Sequence, residues 1–162
     1  IDDNYTRTLL KVAGYNIVKL TGTTSVSELY SQIIPANSIS VGNSVNINMV
    51  LGKIGSLGAW EINFLLSNSA SAPQTSSGFI RNSALTSSTL YYAVQRTISF
   101  YNSTNFSSFA VGQSNNSDLQ TSGLGVNTTS LDITLPIYVY VFAKLSNASD
   151  NVTLATLLIE KK

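Results

Sequence analysis

Leu131-Asp-Ile-Thr-Leu-Pro-Ile-Tyr-Val-Tyr-Val-Phe-Ala-Lys-Leu145 puts Leu131, Ile133, Leu135, Ile137, Val139, Val141, Ala143 and Leu145 on alternate positions. Successive side chains of a strand point to opposite faces, so a period of two over this length gives an extended segment with one apolar face. Pro136 has no N–H for a ladder, so the strand is expected to bend, bulge or lie at an edge there. The opposite face is not polar either. Tyr138, Tyr140 and Phe142 follow one another along it, so both faces of the segment call for burial.

The same period recurs upstream. Val45, Ile47, Met49 and Leu51 alternate with Asn46 and Asn48, and Trp60, Ile62, Phe64 and Leu66 alternate with Glu61 and Asn63. Between them Lys53-Ile-Gly-Ser-Leu-Gly58 reads as a hairpin connection. Leu90, Tyr92, Val94, Ile98 and Phe100 form a third inward set, interrupted by Arg96, which needs a partner if buried. Val152 to Ile159, apolar on both faces, reads as a central strand or one buried against another chain. Leu9 to Val12, Tyr15 to Leu20 and Leu29 to Ile34 are short β-branched and aromatic runs, and Ser25-Val-Ser-Glu28 fits a helix capping box less well than a strand start. Ser67 to Ser88 and Gly112 to Ser130 have no periodicity and read as loops. These segments define an all-β protein, an antiparallel β-sandwich of jelly-roll-like type with about eight to ten strands. Val45, Ile47, Met49, Trp60, Ile62, Phe64, Ile137, Val139 and Val141 should share its core. The 162 residues are expected to form a single domain, with residues 1–24 as a connecting segment.

Composition excludes several chemistries. Nine basic against eight acidic residues give a net charge of +1, too little to drive nucleic-acid binding by counterion release. Without His or Cys there is no Ser-His-Asp triad and no imidazole or thiolate metal site. The acids, Asp2, Asp3, Glu28, Glu61, Asp118, Asp132, Asp150 and Glu160, show no catalytic spacing, and a Glu61 with Asp132 pair is outweighed by solvated strand faces. The oxygen-rich runs Ser114 to Asp118 and Asn147 to Asn151 read as solvated turns before they read as calcium loops. No apolar run approaches the length of a membrane span. An enzyme, a cofactor and a metal are therefore not expected. Seven N-x-S/T sequons compare with about four from composition alone, which is weak support for glycosylation.

What remains is a surface of hydroxyls and amides: 25 Ser, 16 Thr and 16 Asn. Such groups suit hydrogen bonding to neutral sugars, and exposed rings suit stacking on them. Tyr91 and Tyr101, with Asn115 and Asn116 in the second loop, are the candidate binding residues. Tyr138, Tyr140 and Phe142, with Leu157 and Ile159 of the last strand, are candidates for a subunit interface, because one small domain has little material to cover a second apolar face. Cover from the subunit's own second layer weighs about equally for the ring face.

Asn16-Ile-Val-Lys-Leu-Thr-Gly-Thr-Thr-Ser25, Ile34-Pro-Ala-Asn-Ser-Ile-Ser-Val-Gly-Asn43 and Gly58-Ala-Trp-Glu-Ile-Asn-Phe-Leu-Leu-Ser-Asn-Ser69, in that order, resemble the C-terminal β-sandwich region of bacteriophage tail-fibre and related virion proteins. Tyr91 to Asn105 and the closing segments Ile137 to Leu145 and Val152 to Ile159 resemble that family's later strands, and Asn43 stands where an Asp is frequent. The resemblance implies a jelly-roll-like homotrimer on a phage particle, made in the host cytoplasm and associated with other virion proteins. It implies no catalytic residue. Two functions fit it: a distal tail-fibre module binding a host surface glycan, and a purely structural part such as a fibre trimeriser, a head fibre or a capsid decoration protein. The opening Ile1 without Met is expected of a C-terminal piece of a longer virion protein.

Overall fold

The computed structural model describes residues 9–13, 18–22, 24–55, 58–71, 81–104, 106–110, 125–127 and 131–162. Among them every regular element is a strand, and the strands form two antiparallel sheets. The first sheet holds β1 (Leu9–Ala13), β2 (Val18–Thr21), β4 (Ser44–Ile54), β7 (Tyr91–Phe100), β8 (Phe106–Ala110), β9 (Gly125–Asn127) and β11 (Asn151–Lys161). The second holds β3 (Ser27–Ile34), β5 (Trp60–Ser67), β6 (Arg81–Leu85) and β10 (Ile137–Leu145), in the order β3-β10-β5-β6.

The strand order assigns the topology. β2-β11-β4-β7 faces β3-β10-β5-β6, and the connections β2 to β3, β4 to β5, β6 to β7 and β10 to β11 each cross between sheets. That is an eight-stranded jelly roll. β1 lies end to end with β2 along β11, and β8 with β9 extends the sheet beyond β7, which brings the described strands to eleven. β6 and β9 fall within stretches whose sequence reads as loops. Each pairs on one side only, at a sheet edge, so ladder bonds define these strands where the sequence shows no alternation.

Core and period agree. All nine residues expected inside are 3% exposed or less and belong to one cluster between the sheets. β10 is central, flanked by β3 and β5. It begins only after Pro136, because residues 131–135 make a turn instead of continuing the strand. Asp132 Oδ1 accepts from the Thr134 amide at 2.8 Å and from Thr134 Oγ1 at 2.6 Å, an Asx turn that ends the extended backbone. Leu131 and Ile133 still reach the core from that turn, whereas Leu135 is exposed.

The segment from Lys53 to Gly58 is not a hairpin. β4 pairs with β7 and β11, β5 with β6 and β10, so the chain passes from one sheet to the other here. Period two reports which face a residue takes and is silent on pairing partners. Lys53 continues the inward phase of β4 past Leu51 and ends in a buried ion pair, Nζ to Asp150 Oδ2 at 3.1 Å, both side chains 1% exposed or less. Lys53 Nζ also donates to the Gly58 carbonyl at 2.8 Å, and the Gly58 amide donates to Asp150 Oδ2 at 3.0 Å. Gly55 has φ +99°, and a Cβ there would collide with the Asp150 carboxylate.

Asp150→Asn, which leaves the Lys53 ammonium buried without its counter-charge, should cost about 3–5 kcal/mol in urea unfolding. Lys53→Met added to it should recover part of that loss. Gly55→Ala should be clearly more destabilising than Gly52→Ala, since only the former combines positive φ with a collision.

Candidate functional site

Two outward faces carry the candidate residues. On the outer face of the second sheet, Tyr138, Tyr140 and Phe142 form a ladder of stacked rings, with centroids 5.8 Å and 6.0 Å apart. Tyr140 and Phe142 are already buried within one chain, clustered with Leu65 and packed by Val26 and Tyr138. The chain leaving β5 helps to hold the ladder, as Tyr140 Oη donates to the Ser69 carbonyl at 2.8 Å. Burial, followed by the negative charge of Glu28 and the neighbouring Tyr138, raises the Tyr140 phenol above its ordinary value.

Leu157 and Ile159 belong to the core between the sheets, because β11 is central between β1 and β4 and turns these positions inward. Of the five interface candidates, four are therefore buried in their own chain. Tyr138 remains half-buried, beside an exposed Ile33 on β3.

The outer face of the first sheet differs in character. Its cross-strand rows over β11, β4 and β7 read Thr153, Gly52, Tyr91; then Thr156, Val50, Ala93; then Leu158, Asn48, Gln95; then Glu160, Asn46, Thr97. Tyr91 is 70% exposed, and its ring edge lies over Gly52, at 3.9 Å from where a Cβ would stand. Glycine there leaves the ring room to lie against the sheet. Val50, Ile54 and Leu90 are exposed around it. A shallow depression of about 270 Å³ follows, with Val50, Ala93, Asn48, Gln95, Thr156 and Leu158 on its walls.

Tyr101 is exposed too, but it follows the far end of β7, roughly 30 Å from Tyr91 at about 3.3 Å per residue, so the two tyrosines do not share a site. Asn115 and Asn116 lie outside the described residues, as does the run Ser114 to Asp118. The run Asn147 to Asn151 is not a solvated cage, because Asp150 is committed to Lys53. Arg96 is 2% exposed and engaged by another group. A second depression, near 170 Å³, touches Trp60, Glu61, Leu85 and Lys144 at the start of β5 and carries both charge signs. Among the described residues no three His, Cys, Asp or Glu converge as metal ligands. Sequence reading overlooked Asn48, Gln95 and Gly52; their signal was the outward phase that they share with Tyr91 across paired strands.

The domain is thus a jelly-roll β-sandwich whose first sheet carries, on its outer face, an exposed tyrosine beside a depression lined without charged residues. No family model matches the chain, and neither does any curated protein. Among solved structures it is similar to the CBM2 module of the evolved Dit of Lactobacillus casei BL23 phage J-1, at 16% identity and a TM-score of 0.44, over 88% of this chain and 74% of that one. The jelly-roll assignment rests on this chain's own strand order.

The buried ring ladder generates a pH prediction. With its folded value raised, Tyr140 holds its proton while the unfolded chain begins to lose one near pH 10, so this contribution to stability is intact below about pH 10 and is lost as pH rises through the folded value. Alkaline unfolding monitored by tyrosinate absorbance should show this loss, and Tyr140→Phe should reduce it while costing about 0.5–1.5 kcal/mol at neutral pH for the hydrogen bond to Ser69.

Proposed function

We propose that this domain is a receptor-binding module of a bacteriophage virion, at the distal end of a tail fibre, that holds a neutral glycan of the bacterial surface during adsorption. The observation that carries the reading is Tyr91, 70% exposed and laid over Gly52 on a face lined by amides and hydroxyls. A ring whose edge rests on the sheet leaves its faces open to the apolar side of a sugar. The tail-fibre resemblance of the segments around Ile34 to Asn43 and Gly58 to Ser69 supplies the setting. The reading is binding without catalysis. Assembly as a homotrimer with other virion proteins belongs to the same proposal, and Ile33 with Tyr138 is the outward apolar pair left to support it on the second sheet.

Purified domain added before infection should block phage adsorption equally in low and high salt, because a neutral contact is not screened. Tyr91→Ala should weaken the block roughly two- to tenfold, in line with about 0.5–1.5 kcal/mol for an aromatic contact. Tyr101→Ala, at the other end of β7, should leave it unchanged. If adsorption is unaffected at saturating concentration and no labelled domain stays on the cells, the domain is a structural part of the particle.

A further inference from the structure

The depression beside Tyr91 has a direction and a length. Val50 with Ala93 lines its near end and Asn48 with Gln95 its far end, and Tyr91 with Gly52 is the next outward cross-strand row before it. Four residues along β7 separate Tyr91 from Gln95, roughly 13 Å at 3.3 Å each, which is longer than one sugar ring. The surface from Tyr91 into the depression stays low because Gly52 and Ala93 contribute almost no side chain, while Thr156 and Leu158 of β11 flank the depression.

The polar groups are graded along this path. Next to Tyr91 the lining is apolar and small, whereas the amides of Asn48 and Gln95 have no side-chain hydrogen bond among the described residues. One row further the amide supply stops, since Thr97 Oγ1 donates to Asn46 Oδ1 at 2.9 Å and closes that pair on itself. No charged side chain lines the depression, so an anionic sugar would be desolvated there without a counter-charge.

We infer that this face takes a linear, neutral oligosaccharide and not a single sugar, with one ring on Tyr91 and the chain running along β4 and β7 to hydrogen bonds with Asn48 and Gln95. The inference rests on the glycan reading above and adds the ligand's length, charge and orientation. Sugar rings are amphipathic in the same way as the face: apolar C–H patches meet Tyr91, Val50, Ala93 and Leu158, and hydroxyls meet Thr156 and the two amides.

The test uses an array of neutral glucose, galactose, rhamnose and N-acetylglucosamine oligomers of graded length, with labelled domain read for affinity. Affinity should rise roughly tenfold from the monomer to the trimer of the preferred sugar and then level off. Asn48→Ala with Gln95→Ala should lower trimer affinity roughly tenfold and leave monomer affinity unchanged, whereas Tyr91→Ala should lower both. Gln95→Ala alone, at an exposed position, repeats the length-selective loss should the double variant fold poorly. Affinity independent of length, equal losses for monomer and trimer, or no sugar bound would overturn the inference. Labelled domain that still adheres to cells in that case leaves the receptor reading standing, and domain that does not adhere removes both. Sedimentation of the wild type and Tyr91→Ala separates the remaining occupant: a mass that falls in the variant makes this face a contact between copies and overturns the sugar path.

Discussion

The ion pair between Lys53 and Asp150 is the constraint on which the rest of the molecule turns. A jelly roll has to leave one sheet and enter the other at most of its connections, and at those points the ladders no longer supply partners. Here the two buried charges take over that task. Lys53 stands one residue before the end of β4 and Asp150 precedes β11, and both hold the backbone of Gly58 in the passage to β5. Ser146 adds two bonds to the Ala59 carbonyl, from its amide at 2.9 Å and its Oγ at 2.8 Å. Burying two charges costs several kcal/mol for each ion before their attraction is counted, so the pair contributes definition of geometry more than net stability.

That geometry extends to the candidate site. The Lys53 amide donates to the Leu90 carbonyl at 2.8 Å, and Trp60 Nε1 donates to the Thr89 carbonyl at 2.9 Å. The passage from β6 to β7 is thereby fixed at its last two residues, immediately before Tyr91. The position of the ring over Gly52 is set by the same strand end that carries the buried lysine. Core, crossover and exposed face are one chain of contacts.

How much of this was legible in the sequence depends on what alternation can encode. A period of two identifies faces, so the nine core positions and the outward phase of Tyr91 could be read directly. It does not encode which strands pair, so Lys53 to Gly58 looked like a hairpin when it is a crossing between sheets. It also overran its limits at Leu131 to Leu135, where the Asp132 turn keeps two of the same residues buried without a strand. Apolar character on both faces of β10 was correctly read as a demand for burial. Whether that burial came from the same chain is a question of tertiary cover, and Tyr140, Phe142, Leu157 and Ile159 show that one chain suffices. The depression was invisible for a different reason, since Asn48 and Gln95 are far apart in sequence and meet only through register.

The pairing of β1 with β11 has a mechanical corollary. Leu9 stands opposite Glu160, so the two ends of the described chain leave the domain side by side. Tyr91 is level with Gly52 and Thr153, seven residues back along β11 from Glu160, or roughly 20 Å toward the opposite pole. A load drawn between Leu9 and Glu160 peels β1 from β11 pair by pair from that pole, without passing through the crossover end. The domain is built like a lever with its handle and its working tip at opposite extremes, and the tip keeps its shape when the handle is under tension.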